Sequence, residues 1–558
     1  MSFQNADSEE GKSAEDDSQQ PVEQSDKLAP ESDDANKDAD DPEYATGLRL
    51  FLVIFTMNMS GLLTALEIGI IATAIPSITD TFHALDDTGW YGSATFLVTA
   101  ATSGVWGKAY KYFHVKYVYL AAIAIFLIGS IVVATAPNSI AVIIGRAIQG
   151  LGITGAMNGS IIVINYISHP SKHPMLIGIW MGIFMVSTVL GPIIGGALTS
   201  GVSWRWCFYI NLPLGVPIVV LLLLFLHIPK HIKPEPATWK EIFLQLDLPG
   251  FSIILTSLVC LTLALQWGGQ SKAWNNGSVI ATLVVWIILT IAFVIVEKFQ
   301  TARAMVPIRL IKPRVVWANA LWSFITTAAF YQVMFYLPIF MQSIHGQSAI
   351  IGGVNTLPFL VFFGVGTMVS GKVVEKTRYL QPFQVLSALL MTAGMALLYT
   401  LEIDSSKARY IGPQVLFGFG VGFGNQIPMM AAQGLSKQED VPSITGIMFM
   451  ALSSSAVYFI VAGQSIFNNR LVQTLATIAP NLDAAQVLST GASDIHKVYS
   501  GEVLEDVLRA YMTGIKDVFA CGLAVSVAAV PLAMLIPFLR LGEHKGDDQK
   551  TEEKAPAV

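Results

Sequence analysis

From Arg49 to Pro76 the chain reads RLFLVIFTMNMSGLLTALEIGIIATAIP. In these 28 residues the only charge beyond Arg49 is Glu67. A helix needs about 20 mainly apolar residues to cross the hydrocarbon core of a bilayer, so the run predicts a membrane-spanning helix with one carboxylate inside it. It is too long for a cleaved secretory h-region, so it should stay in the membrane.

Working outward, thirteen further runs meet the same test. With the first, they lie near 49–76, 88–107, 117–136, 139–164, 174–197, 207–229, 248–267, 278–297, 315–340, 350–370, 382–401, 410–433, 442–467 and 516–540. Since the bilayer offers backbone groups no hydrogen-bond partner, such runs must be helices. The composition agrees: 53% of the 558 residues are hydrophobic and 13% charged, against about 25% charged in soluble domains. The fold expected is an all-α polytopic membrane protein with fourteen spans, not a soluble enzyme.

Lys and Arg in the connections set the orientation. With the N-terminus cytoplasmic, the inner loops hold 16 of them and the outer loops eight. The bias alternates through the chain, which predicts both termini inside. Asn276-Gly277-Ser278, an acceptor pattern for N-glycosylation, then falls in the outer loop between spans 7 and 8. Residues 1–45 carry 15 Asp/Glu against three Lys; this polar segment, extending to 48, cannot bury enough apolar surface to order itself and reads as a disordered cytoplasmic tail. A second short tail follows, 541–558.

The basic loop after span 2 begins Gly107-Lys108, and the one after span 10 begins Gly371-Lys372. A recurring element of this kind suggests two six-span bundles related by internal repeat, a common build of secondary transporters. Residues 49–229 and 315–540 would be the bundles, with 248–297 supplying two inserted central spans. A long outer connection, 468–515, should contain an amphipathic helix leading into span 14, since Val503, Leu504, Val507, Leu508 and Tyr511 share one helical face.

Charges inside the membrane are costly and normally face a partner or an aqueous path. Glu67 and Arg146 both fall in the outer half of the bilayer, roughly 13 and 12 Å deep at 1.5 Å per residue, so they can pair. Two roles fit: a carboxylate that loads and releases a proton, or a fixed structural ion pair. Gly191-Pro192 and Gly195-Gly196 in span 5 read as a hinge or a tight helix contact. Gln149, Tyr331, Gln332, Tyr336, Asn425, Gln426 and Gln433 are the polar candidates to line a central cavity. Cys207, Cys260 and Cys521 sit in apolar runs without metal-ligand spacing. No Gly-rich loop ending in Gly-Lys-Ser/Thr appears, which argues against coupling to ATP.

Several stretches resemble the major facilitator superfamily, specifically the fourteen-span drug:proton antiporters of filamentous fungi. The resemblance covers about residues 49–540. Leu66-Glu67-Ile68-Gly69 is similar to the family's span-1 motif, which usually has Asp and Thr at positions 67 and 69. Gly145-Arg146-Ala147-Ile148-Gln149-Gly150-Leu151-Gly152 matches the span-4 motif, whose Arg is associated with proton transfer. Ser187 with Gly191-Pro192-Ile193-Ile194-Gly195-Gly196 resembles the span-5 antiporter motif. Trp204-Arg205-Trp206-Cys207-Phe208-Tyr209-Ile210-Asn211-Leu212-Pro213 is similar to a signature of this subfamily, and Asp86-Asp87 with Gly89-Trp90-Tyr91-Gly92-Ser93 adds to it. The loop after span 2 departs from the family pattern at Lys111 and His114.

The resemblance implies efflux of a hydrophobic small molecule (a secondary metabolite, toxin or drug) driven by the proton gradient, with no cofactor or metal. The partners implied are that molecule, protons and the bilayer, without nucleic acid, in a monomer at the plasma membrane or a vacuolar or vesicular membrane. Siderophore transport by a related fourteen-span branch and a non-transporting membrane sensor are the alternatives.

Overall fold

In the computed structural model the first spanning helix runs Gly47–Phe82. The structure describes residues 47–538 except 84–86, 170–171, 230–231, 271, 302, 435, 491 and 493. Both expected tails (save Gly47 and Leu48) and Asp86 lie outside the described residues. Spans 2 to 5 are Thr88–Tyr112, Val115–Ala134, Ser139–Ile167 and His173–Gly201. Span 6 is broken at Ile210 into Trp206–Tyr209 and Asn211–Phe225. Spans 7 to 11 are Leu248–Trp267, Gly277–Gln300, Arg314–Ser343, Ala349–Thr377 and Gln381–Tyr399. Span 12 joins Lys407–Asn425 to Ile427–Gly434, and spans 13 and 14 are Val441–Ile478 and Gly501–Leu535.

Thirteen of these helical stretches are long and apolar enough to cross a membrane by composition alone. Span 2 is the fourteenth. Its hydropathy is diluted by Thr95, Thr99, Thr102 and Ser103, all buried within the bundle. A helix walled by protein need not be apolar all round. Span 8 is the opposite case: Val279 and Glu297 are its buried residues, as expected of a helix that faces lipid.

Span 1 packs on span 5, span 3 on span 4, and span 2 on span 4. Span 9 likewise packs on span 13, span 11 on span 12, and span 10 on span 12. Adding eight to each number of the first set gives the second, the signature of an internal repeat. The halves meet where span 2 lies along span 13 and span 5 along span 10, again a pair exchanged by the same rule. Span 7 lies beside spans 2 and 13, and span 8 packs on span 7.

The connection expected over 468–515 is shorter. Span 13 remains helical to Ile478 and span 14 begins at Gly501, leaving 479–500 with two short helices, Ala484–Ser489 and Ile495–Val498. The expected amphipathic helix is the first turns of span 14 itself. Val507, Leu508 and Tyr511 are buried in one cluster with Phe467, Leu471 and Leu475, so it packs on span 13 instead of lying free on a membrane surface.

Candidate functional site

Span 1 brings Glu67 to the centre of the N-terminal half, where its side chain is 0% exposed. Its Oε1 accepts from Nη1 of Arg146 on span 4. Arg146 is also enclosed, at 1% exposure, and donates from Nη1 to Gln149 Oε1 (3.0 Å) and from Nε to the Tyr91 carbonyl (3.0 Å). Gln149 Nε2 in turn donates to Ser130 Oγ at 2.9 Å. A buried ion pair survives only when its remaining donors and acceptors are also met, and spans 2, 3 and 4 supply several of the partners.

The fifth contributor, Asn211, was not singled out as a site residue by sequence reasoning. Its Nδ2 donates to Glu67 Oε2 at 2.7 Å and to Ser130 Oγ at 3.1 Å. The Trp204–Pro213 stretch explains how it gets there. Arg205 donates to the carbonyls of Ala134 and Ala136 (3.0 and 3.1 Å) and lies 4.4 Å from the Trp204 ring centre. Trp204 Nε1 donates to Thr81 Oγ1 at 3.2 Å. These contacts pin the start of span 6 to the ends of spans 1 and 3, just ahead of Asn211. A polar residue opening an otherwise apolar span was the available signal. The Asp87–Tyr91 stretch fixes the start of span 4 in a similar way, since Ser139, which opens that span, bonds Asp87 Oδ2 and the Tyr91 hydroxyl.

Span 5 touches span 1 almost backbone to backbone. A Cβ added at Gly191 would lie 2.6 Å from Gly69 Cα, and one at Gly195 would lie 2.4 Å from Thr73 Oγ1. A Cβ on Gly69 would meet the Thr188 carbonyl at 2.3 Å. Glycine at 69, where the family usually has Thr, is therefore required by the packing here. Pro192 belongs to the same contact, its Cδ 3.0 Å from that added Cβ. Gly196 is not part of this contact: among the described residues a methyl there would meet none of the span 1 atoms that Gly191 and Gly195 meet.

Between the halves lies a cavity. Its walls come from spans 1, 2, 4 and 5 and from spans 9, 10, 12 and 13, the same four positions in each repeat. Phe96, Phe184, Phe330 and Phe363 supply much of the lining, and Tyr331 and Asn425 face it. The other five polar candidates lie elsewhere. Gln149 belongs to the Glu67 network. Gln332 Nε2 donates to Cys521 Sγ (3.3 Å) and Gln426 Nε2 to the Thr367 carbonyl (3.0 Å). Tyr336 is buried against Phe467, and Gln433 bridges Asn165 and Thr445 at 3.0 and 2.6 Å. They hold helices together, because an amide in hydrocarbon is satisfied by whichever neighbour is nearest. Asn276 caps span 8, its Oδ1 accepting from Ser278 N at 2.9 Å on an exposed surface.

The Glu67 network and the cavity share walls without merging. Ile68 faces the cavity while Glu67 does not. Thr95 also lines the cavity and donates to the Arg146 carbonyl at 3.0 Å. At the Lys/Arg-rich end the halves close on each other. Gly107 of span 2 abuts Gly446 of span 13, with an added Cβ 3.1 Å from the opposite Cα. Lys111 reaches Glu235 (2.8 Å) and Asp440 (3.7 Å), and Asp440 also takes a two-pronged bond from Arg309 at 2.7 and 2.9 Å. Lys111 thus occupies a position where the family usually carries Asp, and makes the cross-half contact from the opposite charge.

A fourteen-helix bundle built by repeat, with a central cavity and a buried carboxylate–guanidinium pair beside it, is the construction of a secondary transporter. Residues 57–460 match the family model described as Major Facilitator Superfamily, and the chain belongs to that superfamily. It is 63% identical over 522 residues to the dehydrocurvularin exporter of Aspergillus terreus, covering 93% of this chain and 91% of that protein. Efflux pump notK of Aspergillus sp. (strain MF297-2) is 57% identical over 521 residues, covering 92% of each. Among solved structures, the proton:xylose symporter XylE has the same fold, with a TM-score of 0.56 at 12% identity, over 89% of this chain and 98% of that one. The chain is a multi-span membrane transporter and not an enzyme.

Proposed function

We propose that this transporter expels a hydrophobic small molecule from the cell in exchange for protons, by alternating access across the plasma membrane. The observation that carries the reading is the pairing of a cavity between the two halves with a buried ion pair one residue behind its wall. In this account the cargo sits in the cavity, and Glu67 takes up a proton when Arg146 releases it. Ile68 and Thr95 connect the two events, since each belongs to both walls. The closed contacts at the Lys/Arg-rich end support a state whose exit lies at the opposite mouth, with both termini on the closed, cytoplasmic side. The names of the close relatives, an exporter and an efflux pump, support the direction of transport. Among the described residues the cavity lining has no Asp, Glu, Lys, Arg or His, which favours an apolar cargo over a siderophore.

The reading is tested in inside-out vesicles. An acid-inside gradient should drive uptake of dehydrocurvularin, and a protonophore should abolish it. Uptake that runs unchanged without a gradient would make the protein a facilitator.

A further inference from the structure

The groups lining the cavity are not distributed evenly between its two walls. On the N-terminal half, the polar members have their protons engaged. Thr95 and Thr99 donate to the carbonyls of Arg146 and Gly150 at 3.0 and 3.2 Å, and Trp180 Nε1 donates to the Met57 carbonyl at 3.3 Å. The rest of that wall is apolar, formed by Ile68, Phe96, Ile153, Met157, Met181 and Phe184.

The C-terminal half differs. Thr327, Tyr331 and Ser453 line the cavity, and their hydroxyls carry no hydrogen bond among the described residues; Asn425, also in the lining, has one long contact, 3.4 Å from Nδ2 to Met181 Sδ. All the unengaged hydroxyl and amide groups lining the cavity, among the described residues, therefore stand on one side. Each of them can donate. Burying an ion in such a space without a counter-charge is costly, and Glu67, next in the chain to the lining residue Ile68, is bonded to Arg146 and Asn211.

We infer that the cargo is uncharged and two-faced: an apolar surface rests on the N-terminal wall, and carbonyl-type oxygens along one edge are read by Thr327, Tyr331, Asn425 and Ser453. This rests on the cavity being the cargo site, as proposed above. It divides the work of the repeat, with recognition on the half that lacks the proton-binding pair. It also excludes lipophilic cations and anions as cargo.

Four compounds of similar aromatic bulk test it, with binding measured at equilibrium to protein in lipid nanodiscs against empty nanodiscs. Triphenylphosphine oxide is neutral with one strong acceptor, and triphenylmethane is neutral with none. Tetraphenylphosphonium and tetraphenylborate carry the two charges. The oxide should bind at least tenfold more tightly than either ion. Thr327→Val, Tyr331→Phe and Asn425→Leu should each weaken the oxide by about threefold to tenfold, the effect of one net hydrogen bond, and leave triphenylmethane within about twofold. These near-isosteric changes are checked for intact folding by thermal unfolding.

Either ion binding as tightly as the oxide would overturn the inference. So would three variants that leave oxide binding unchanged, or no binding by any of the four. No gradient is present in this experiment. A protein that fails to pump protons but shows the neutral preference refutes antiport alone, and one that pumps without the preference refutes this inference alone.

Discussion

Replacing Arg146 by Met should destabilise the protein more than replacing both members of its ion pair. Glu67 and Arg146 are each at most 1% exposed. Removing the guanidinium leaves a carboxylate that water cannot reach, held by the neutral amides of Asn211 (2.7 Å) and Gln149. Breaking one side of a buried pair costs about 3–5 kcal/mol. In the double variant Glu67→Gln with Arg146→Met no charge remains. The losses are then the bonds from Arg146 to Gln149 and to the Tyr91 carbonyl. At about 1 kcal/mol for each bond lost, the double variant should lose about 2 kcal/mol. It should therefore be more stable than Arg146→Met alone by about 1–3 kcal/mol. The assay is reversible unfolding in mixed micelles, titrated with denaturing detergent, for wild type, both single variants and the double. A double variant at least as unstable as Arg146→Met would refute the reasoning, because it would mean the two charges do not depend on each other.

Three other outcomes follow from the packing. Gly191→Ala should lower the thermal midpoint and impair transport, since its methyl would sit 2.6 Å from Gly69 Cα; overpacking of this kind costs about 1–3 kcal/mol. Gly69→Thr, although it restores the residue common in the family, should also destabilise, by collision with the Thr188 carbonyl at 2.3 Å; a thermal midpoint equal to wild type would remove the packing explanation. Asn276→Gln should abolish any mobility shift on glycosidase treatment of the protein made in a fungal host, and a shift that persists would locate the glycan elsewhere.

The spans were legible because crossing a bilayer demands a length of apolar chain that little else requires. Even span 2, whose Thr and Ser dilute it, stands out between the acidic stretch at Asp87 and the basic one at Lys108. The pairing of Glu67 with Arg146 was also accessible, from depth alone. Which way a polar side chain points was not. Gln332, Gln426 and Gln433 lie on helices buried on several faces, so no periodicity separates a cavity wall from a helix contact; Tyr331 and Asn425 face the cavity on the same kinds of helix. Asn211 was hidden because its role depends on where span 6 is anchored, a tertiary consequence of Arg205 and Trp204 gripping neighbouring spans. The end of span 13 was missed since Arg470 and the polar residues after it look like a loop, while Leu471 and Leu475 keep the helix packed.

The central claim is that Glu67 carries the proton. Its most direct test is proton release from proteoliposomes on addition of dehydrocurvularin, comparing wild type with Glu67→Gln at matched protein levels and matched cargo binding. The account predicts cargo-dependent proton movement in wild type and none in the variant, with binding retained. Proton movement of equal size in both would contradict it and leave Glu67 as one half of a structural ion pair.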